Sequence, residues 1–388
     1  MAGAIRAGSA GLLGGAVWLT APAPAAAAPI FVSLDFVPVA LSDDGSTAVG
    51  YTVFGVIDPI FRAVRWTREQ GTQELGDLPG GRVESRASAV SADGSVVVGY
   101  SAAAAGTLAF RWTAAEGMVA LGDLPGGGGS PLSRALDVSA DGSVVVGESI
   151  SSSGYEAFRW SEASGMLGLG DFEGSIFQSR ATGVSADGSV VTGTGSRLLA
   201  ERDIHEAFRW TGAGGLEGIG TLGPGLSSTG LRISNDGAAI AGASGLHELY
   251  RWTSATGWLP LGMRQNDASE SFHRASVSGD GAVVAGVCSF RVGCLWDAAN
   301  GTRELKQVLG DAGIELSGWD SAVATGLSLD GTALVGYGSR GSWYAVVPEP
   351  AAGALLAAGL AALCALPRRL RCGSRPRAPG AAIALRRG

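Results

Sequence analysis

Short apolar runs broken by glycine and serine fill most of the chain between residues 30 and 347, and their spacing is that of strands rather than helices. Residues 134–171, RALDVSADGSVVVGESISSSGYEAFRWSEASGMLGLGD, show the pattern once. Four runs stand out, RALDVS, SVVVGES, EAFRW and GMLGLGD, each rich in Val, Phe, Trp or Leu and bounded by turn formers. Between the first two lies Asp141-Gly142, a strong local signal for a hairpin because glycine accepts the positive φ that a tight turn demands. Val144 to Val146 are apolar at successive positions, so the second strand is expected to be covered on both faces.

This unit recurs. Asp-Gly steps begin at Asp44, Asp93, Asp141, Asp187, Asp236, Asp280 and Asp330, 44 to 50 residues apart, and define repeats 1 to 7. A second register accompanies them, with Trp66, Trp112, Trp160, Trp210, Trp252 and Trp296. Four antiparallel strands at such a period match a β-propeller blade, with a β-solenoid of the same repeats as the alternative. No amphipathic helical segment is expected. The last repeat supplies only three strands, SAVATGLS, TALVGYG and SWYAVV, before Val347-Pro348-Glu349-Pro350. The segment FVSLDF, Phe31 to Phe36, is a strand with no repeat before it. It is expected to complete the last blade, which closes the ring, removes open sheet edges and predicts seven four-stranded blades. The organisation expected is an export signal over 1–28, a seven-repeat propeller over 29–347, a sorting segment over 348–371 and a basic tail over 372–388.

Composition narrows the partners. The chain has 388 residues, with 28 basic and 35 acidic groups, and Lys306 is its only lysine. Eight of the basic groups and one of the acidic ones lie outside residues 29–347, so the repeats are more acidic than the whole chain. That balance argues against nucleic acid as a partner. At the N-terminus Arg6, the apolar stretch Ala10 to Thr20 and the run APAPAAAA appear in the order of an export signal. Export admits disulfides. Cys288 and Cys294 flank the turn SFRVG and either pair across it or sit as small buried hydrophobes.

Candidate chemistry is sparse. No His/Cys cluster has metal-ligand spacing, no glycine-rich loop opens a helix and no nucleophile motif stands in strand-turn-helix context, so no catalytic residue, metal or cofactor is assigned. Variable loops on a rigid scaffold are where binding resides, and the loops opposite the Asp-Gly face are the divergent ones. Arg86, Arg134 and Arg180 each stand seven residues before their repeat's aspartate, with Arg274 six before its own. They are placed to ring the channel mouth and bind an acidic polysaccharide, or to pair structurally with carboxylates such as Asp77, Asp123 or Asp171. The Phe-Arg-Trp positions read as core between blades.

Two resemblances follow. EAFRW at Glu156 to Trp160 and Glu206 to Trp210, with LGDLPGG at Leu75 to Gly81 and Leu121 to Gly127, resembles the extracellular repeats named for a His-Ala-Phe tripeptide. The histidine slot here holds Arg62, Leu108, Glu156, Glu206 and Glu248, and His205, His247 and His273 stand in unrelated loop positions, so no role passes to a histidine. The C-terminus resembles the PEP-CTERM sorting signal. It has Pro348, Glu349 and Pro350, an apolar run over 351–366 and then Arg368, Arg369 and Arg371. Sixteen residues make a helix of about 24 Å, shorter than the ~30 Å hydrocarbon core. The arginines are expected to stay cytoplasmic and the repeats outside. This resemblance implies a transient membrane anchor, and cleavage near Pro-Glu-Pro by an exosortase-type membrane protease in bacteria that make exopolysaccharide. The chain continues past the basic cluster where such signals usually stop. Together these features imply an exported, non-catalytic binding or scaffold module of the cell envelope, cell surface or extracellular matrix, with exopolysaccharide or envelope proteins as partners. A propeller enzyme acting on polysaccharide is the alternative, and it would need a carboxylate, histidine or tyrosine cluster at the channel mouth.

Overall fold

The structure is a computed structural model that describes residues 28–347, except 56, 130, 174–175, 200–201, 223–226, 245–247, 265–274 and 290–291. The export signal, the sorting segment and the basic tail lie outside the described residues. Five repeats form discrete four-stranded antiparallel sheets. In repeat 3 the strands are Ser133–Val138, Val144–Ser151, Gly154–Ser161 and Gly165–Gly168, in that order across the sheet. The first strands of all seven repeats contact their neighbours around one axis, and repeat 1 packs on repeat 7, so the arrangement is a propeller.

Seven discrete blades are not found. Repeats 6 and 7 belong to one eight-stranded sheet, completed by Ile30–Leu34, which pairs antiparallel with Gly341–Val346. The two repeats join through the parallel pair Val292↔Ala322. The same kind of contact occurs as isolated bridges at Thr107↔Leu132 and Tyr155↔Gln178, where one repeat's third strand meets the next repeat's start. At the 6–7 junction both residues lie within strands, and Gly293 lets the backbones touch, since a Cβ there would overlap the Ala322 carbonyl.

The Asp-Gly turns are built alike. In every repeat a serine two residues before the aspartate donates its hydroxyl to the aspartate's Oδ1 over 2.6–2.8 Å. The same serine oxygen accepts the N–H of the residue that opens the second strand, at 2.9 Å. The glycine takes φ between 68° and 72°. Backbone hydrogen bonds link turn to turn around the axis, from Asp44 N–H to Ala92 O, Ala92 to Ala140, Ala140 to Ala186, Ala186 to Asn235, Asn235 to Gly279, Asp280 to Leu329 and Leu329 to Asp43. That circuit closes.

Packing follows the same cycle, with one cluster of buried apolar residues at each junction between consecutive repeats. Phe110, Phe158 and Phe208 are fully buried in these clusters. The arginines of the Phe-Arg-Trp positions reach across the junctions. The Nε groups of Arg111, Arg159 and Arg251 donate to the carbonyls of Gly142, Gly188 and Gly281 in the next repeat's turn. A helix, Leu305–Asp311, follows repeat 6 and buries Leu305 and Leu309, where no amphipathic helical segment was expected within the repeats. Its seven residues carry too short an i, i+4 pattern to stand out among strands. Cys288 and Cys294 are disulfide-bonded across their hairpin, with Cα atoms 5.8 Å apart.

Candidate functional site

The first strands of repeats 1 to 5 and 7 carry a bulge where the register shifts, as between Ala87 and Ala89 and between Ala135 and Asp137. A glycine of the second strand sits opposite, because a Cβ at Gly99 or Gly147 would overlap the carbonyl of Arg86 or Arg134. The extra residue, Ser88 in repeat 2 and Leu136 in repeat 3, turns toward the axis. Each arginine is thereby held at the entrance, on the face opposite the Asp-Gly turns.

The axis is a graded cavity. At the Asp-Gly end Asn235 Nδ2 donates to Asp43 Oδ2 across the ring at 2.6 Å. Burial raises the Asp43 carboxyl above its ordinary range. Above it a narrow space of about 100 Å³ holds Asp137 and Arg232. Asp137 is half-buried on this space, which Asp43 also lines, and burial pushes its pKa up to about 6 against the pull of Arg232 and of the Val184 N–H, which it accepts at 2.9 Å. Arg232 itself donates to the carbonyls of Thr182 and Leu231.

The mouth is wider. A basin of about 610 Å³ is lined by Tyr51, Tyr100, Tyr337 and Arg86, with Arg232 at its floor. A neighbouring cavity of about 390 Å³ is lined by Arg134, Glu148, Arg180, Tyr155 and His205. Across both cavities the described lining carries four arginines and a single carboxylate, a reversal of the acidic balance of the chain.

Three of the four arginines expected at the mouth are there, and Arg274 lies outside the described residues. Their partners differ from the expected ones. Glu148, only 7% exposed, accepts Arg180 through two bonds, Nε to Oε2 at 2.9 Å and Nη2 to Oε1 at 3.2 Å, and also accepts Arg134 Nη1 at 3.2 Å. Asp171, by contrast, accepts the backbone N–H groups of Phe172, Gln178 and Ser196. Arg86 packs against rings, 3.5 Å from the Phe61 centroid and 5.3 Å from that of Tyr51. It pairs with no carboxylate among the described residues, and its Nε is buried without a hydrogen-bond partner. Arg134 lies 5.3 Å from the Tyr100 centroid.

Sequence reasoning missed Glu148 and the tyrosines. Tyr51, Tyr100, Glu148, Thr194 and Tyr337 each follow the second-strand glycine of their repeat, and aligning the repeats at that glycine exposes the slot. His205, expected in a loop, lies in the strand Arg202–Thr211. In the histidine slot, Glu156 and Glu206 accept the N–H groups of Gly170 and Gly220 and serve the links between repeats. Among the described residues no group of His, Cys, Asp or Glu is arranged to hold a metal ion.

No family model matches the chain, and no curated protein matches it. Among solved structures it is similar to an oligogalacturonate lyase from Vibrio parahaemolyticus, with 13% identity over 83% of this chain and 92% of that one and a TM-score of 0.51. It is also similar to an oligogalacturonate lyase in complex with manganese, at 14% identity, 83% and 91% coverage and a TM-score of 0.49. A Dos1 propeller matches at 13% identity, 83% and 95% coverage and a TM-score of 0.48. At 13% identity the likeness to the Vibrio structure is one of fold.

Proposed function

We propose that the protein is an exported, non-catalytic propeller of the cell envelope, cell surface or extracellular matrix that holds a ligand in the basin at its mouth. The observation that carries this reading is the basin itself, an aromatic and cationic hollow of about 610 Å³ on a rigid ring, in the size range of a ligand pocket. The carboxylate at the mouth is committed to structure, since Glu148 is shared between two arginines and is not placed as an acid or base.

Delivery rests on the C-terminal sequence. Pro348, Glu349, Pro350 and the cluster Arg368, Arg369, Arg371 form the signal for an exosortase-type membrane protease, and exopolysaccharide or envelope proteins are the partners outside. Val347 N–H donates to Thr332 O beside the Asp330 turn, so the chain leaves the propeller on the Asp-Gly face. A membrane tether there points the mouth outward.

Expression in hosts with and without such a protease, followed by intact mass and fractionation, tests the reading. A form ending near Pro348 and released or held at the surface, seen only with the protease present, is the expected result. Full-length protein retained in the membrane of both hosts would refute sorting.

A further inference from the structure

We infer that the ligand of the basin is a carboxylated saccharide, and that Arg86 is the residue that binds its carboxylate. The inference rests on the reading of the basin as a ligand site and deepens it. The repeats supply the argument, because they place the same side chains in the same frame three times.

Arg134 is registered with Glu148 in its own sheet, and Arg180 reaches the same Glu148 from the next sheet. A mouth arginine therefore takes a carboxylate from the second-strand slot of its own repeat or of the preceding one. For Arg86 those two slots are Tyr100, registered directly opposite it, and Tyr51. Both positions where Glu148 serves the other arginines are occupied by tyrosine. Arg86 is left with aromatic neighbours, an unpartnered buried Nε and a frontage on the larger cavity. A charge so placed and half-buried favours an anion, and a planar guanidinium matches a carboxylate with two parallel bonds.

The tyrosines define the rest of the ligand. Tyr337, Tyr51 and Tyr100 occupy one slot in three consecutive repeats around the ring, 7, 1 and 2, and all line the same basin. Aromatic faces with a polar edge accept the apolar face of a sugar ring while bonding its hydroxyls. A row of three suits successive residues of a chain, so the occupant is an oligomer of hexuronate rather than a lone small anion.

The test is calorimetric titration of the full-length protein with hexuronate oligomers, mannuronate and galacturonate series, against neutral mannose oligomers of equal length. The parent is expected to bind a hexuronate series with an affinity that weakens with salt. Arg86→Gln is expected to reduce that affinity at least about tenfold, as befits loss of a charge-assisted contact. Arg62→Gln, at the Arg62–Glu74 pair away from the basin lining, should leave it unchanged. Tyr100→Glu is a second variant that keeps the arginine and places a carboxylate where Glu148 stands in the next repeat, so it should abolish hexuronate binding from within the chain. Hexuronate binding unaffected by either basin substitution would overturn the inference. Binding of neutral oligomers alone, lost in Tyr337→Ala, would overturn the acidic ligand and leave the basin reading standing. Failure of the folded parent to bind either series would overturn both.

Discussion

Ser139 is fully buried, and its hydroxyl both donates to Asp141 and accepts the Val144 N–H. Ser139→Ala removes the acceptor from a buried backbone donor, which costs about 1–3 kcal/mol, measurable as a shift in denaturant midpoint at constant slope. Asp187 of these turns and Asp137 of the axis respond to pH in opposite senses. Hydrogen bonds from Ser185 and Ser189 hold the Asp187 carboxyl down at about 2, below its ordinary value. Its contribution is therefore present above the ordinary carboxylate range and is lost as pH falls toward 2. Asp137 is raised to about 6, so the folded state keeps a proton that the unfolded chain gives up above about pH 4. The penalty grows from pH 4 to 6, then levels off at no more than about 3 kcal/mol, lessened by any water in the cavity. Parent and Asp137→Asn stability curves should converge near pH 4 and separate by pH 6.5, with the parent the less stable. Parallel curves across that range would show that Asp137 titrates as it does in the unfolded chain. Asp43 and Asp171 are also raised by burial and will contribute to the parent's slope, which is why the difference between the two proteins is the informative quantity.

Strands and turns were the legible part of this chain. Asp-Gly steps, short apolar runs and the registers of Phe and Trp are local signals; the template run EAFRW falls within a strand, and SVVVGES does so from Val144 on. Partners across sheets were not legible. Arg180 and Glu148 stand 32 residues apart and meet only because consecutive sheets pack side by side, so a search for nearby carboxylates pointed to Asp171 instead. The arginine positions at the mouth were readable from their constant offset, whereas the tyrosine slot required the second-strand glycine as the point of alignment. Both readings of Cys288 and Cys294 describe part of the observed hairpin, since Cys294 is buried in the core between repeats 5 and 6 while also bonded to Cys288. The bridge closes a short loop, for which chain entropy gives a stabilisation of about 2 kcal/mol. Replacing both residues with alanine should lower stability by about that amount in chemical denaturation. A reducing agent should produce a similar shift in the parent and none in the double variant.

The circuit of backbone hydrogen bonds through the seven turns ties the repeats together on one face, and the pairing of Ile30–Leu34 with Gly341–Val346 ties the ends of the chain together at the rim. That second closure followed from arithmetic on the sequence, since the last repeat lacked one strand and the N-terminus had one to spare. The fusion of repeats 6 and 7 into one sheet did not, because it depends on a single parallel pair at a junction whose counterparts at Thr107↔Leu132 and Tyr155↔Gln178 have only one partner within a strand. The two closures are separable by experiment. Removing residues 30–34 leaves every turn of the circuit in place, yet exposes Gly341–Val346 as a free edge. It also strips Phe31 from Trp343, on which it stacks at 6.3 Å, and from the edge of Trp319 at 6.1 Å. Trp343 is fully buried, so the deletion opens apolar surface as well as backbone donors and acceptors. The truncated chain is expected to unfold at a lower denaturant concentration, by several kcal/mol, and to self-associate through the new edge in size-exclusion chromatography. Phe31→Ala keeps the backbone pairing and should show a smaller loss of stability with no association. If the truncated chain matched the parent in both midpoint and size, the turn circuit alone would be holding the ring closed, and the N-terminal strand would be an addition to the fold rather than its clasp.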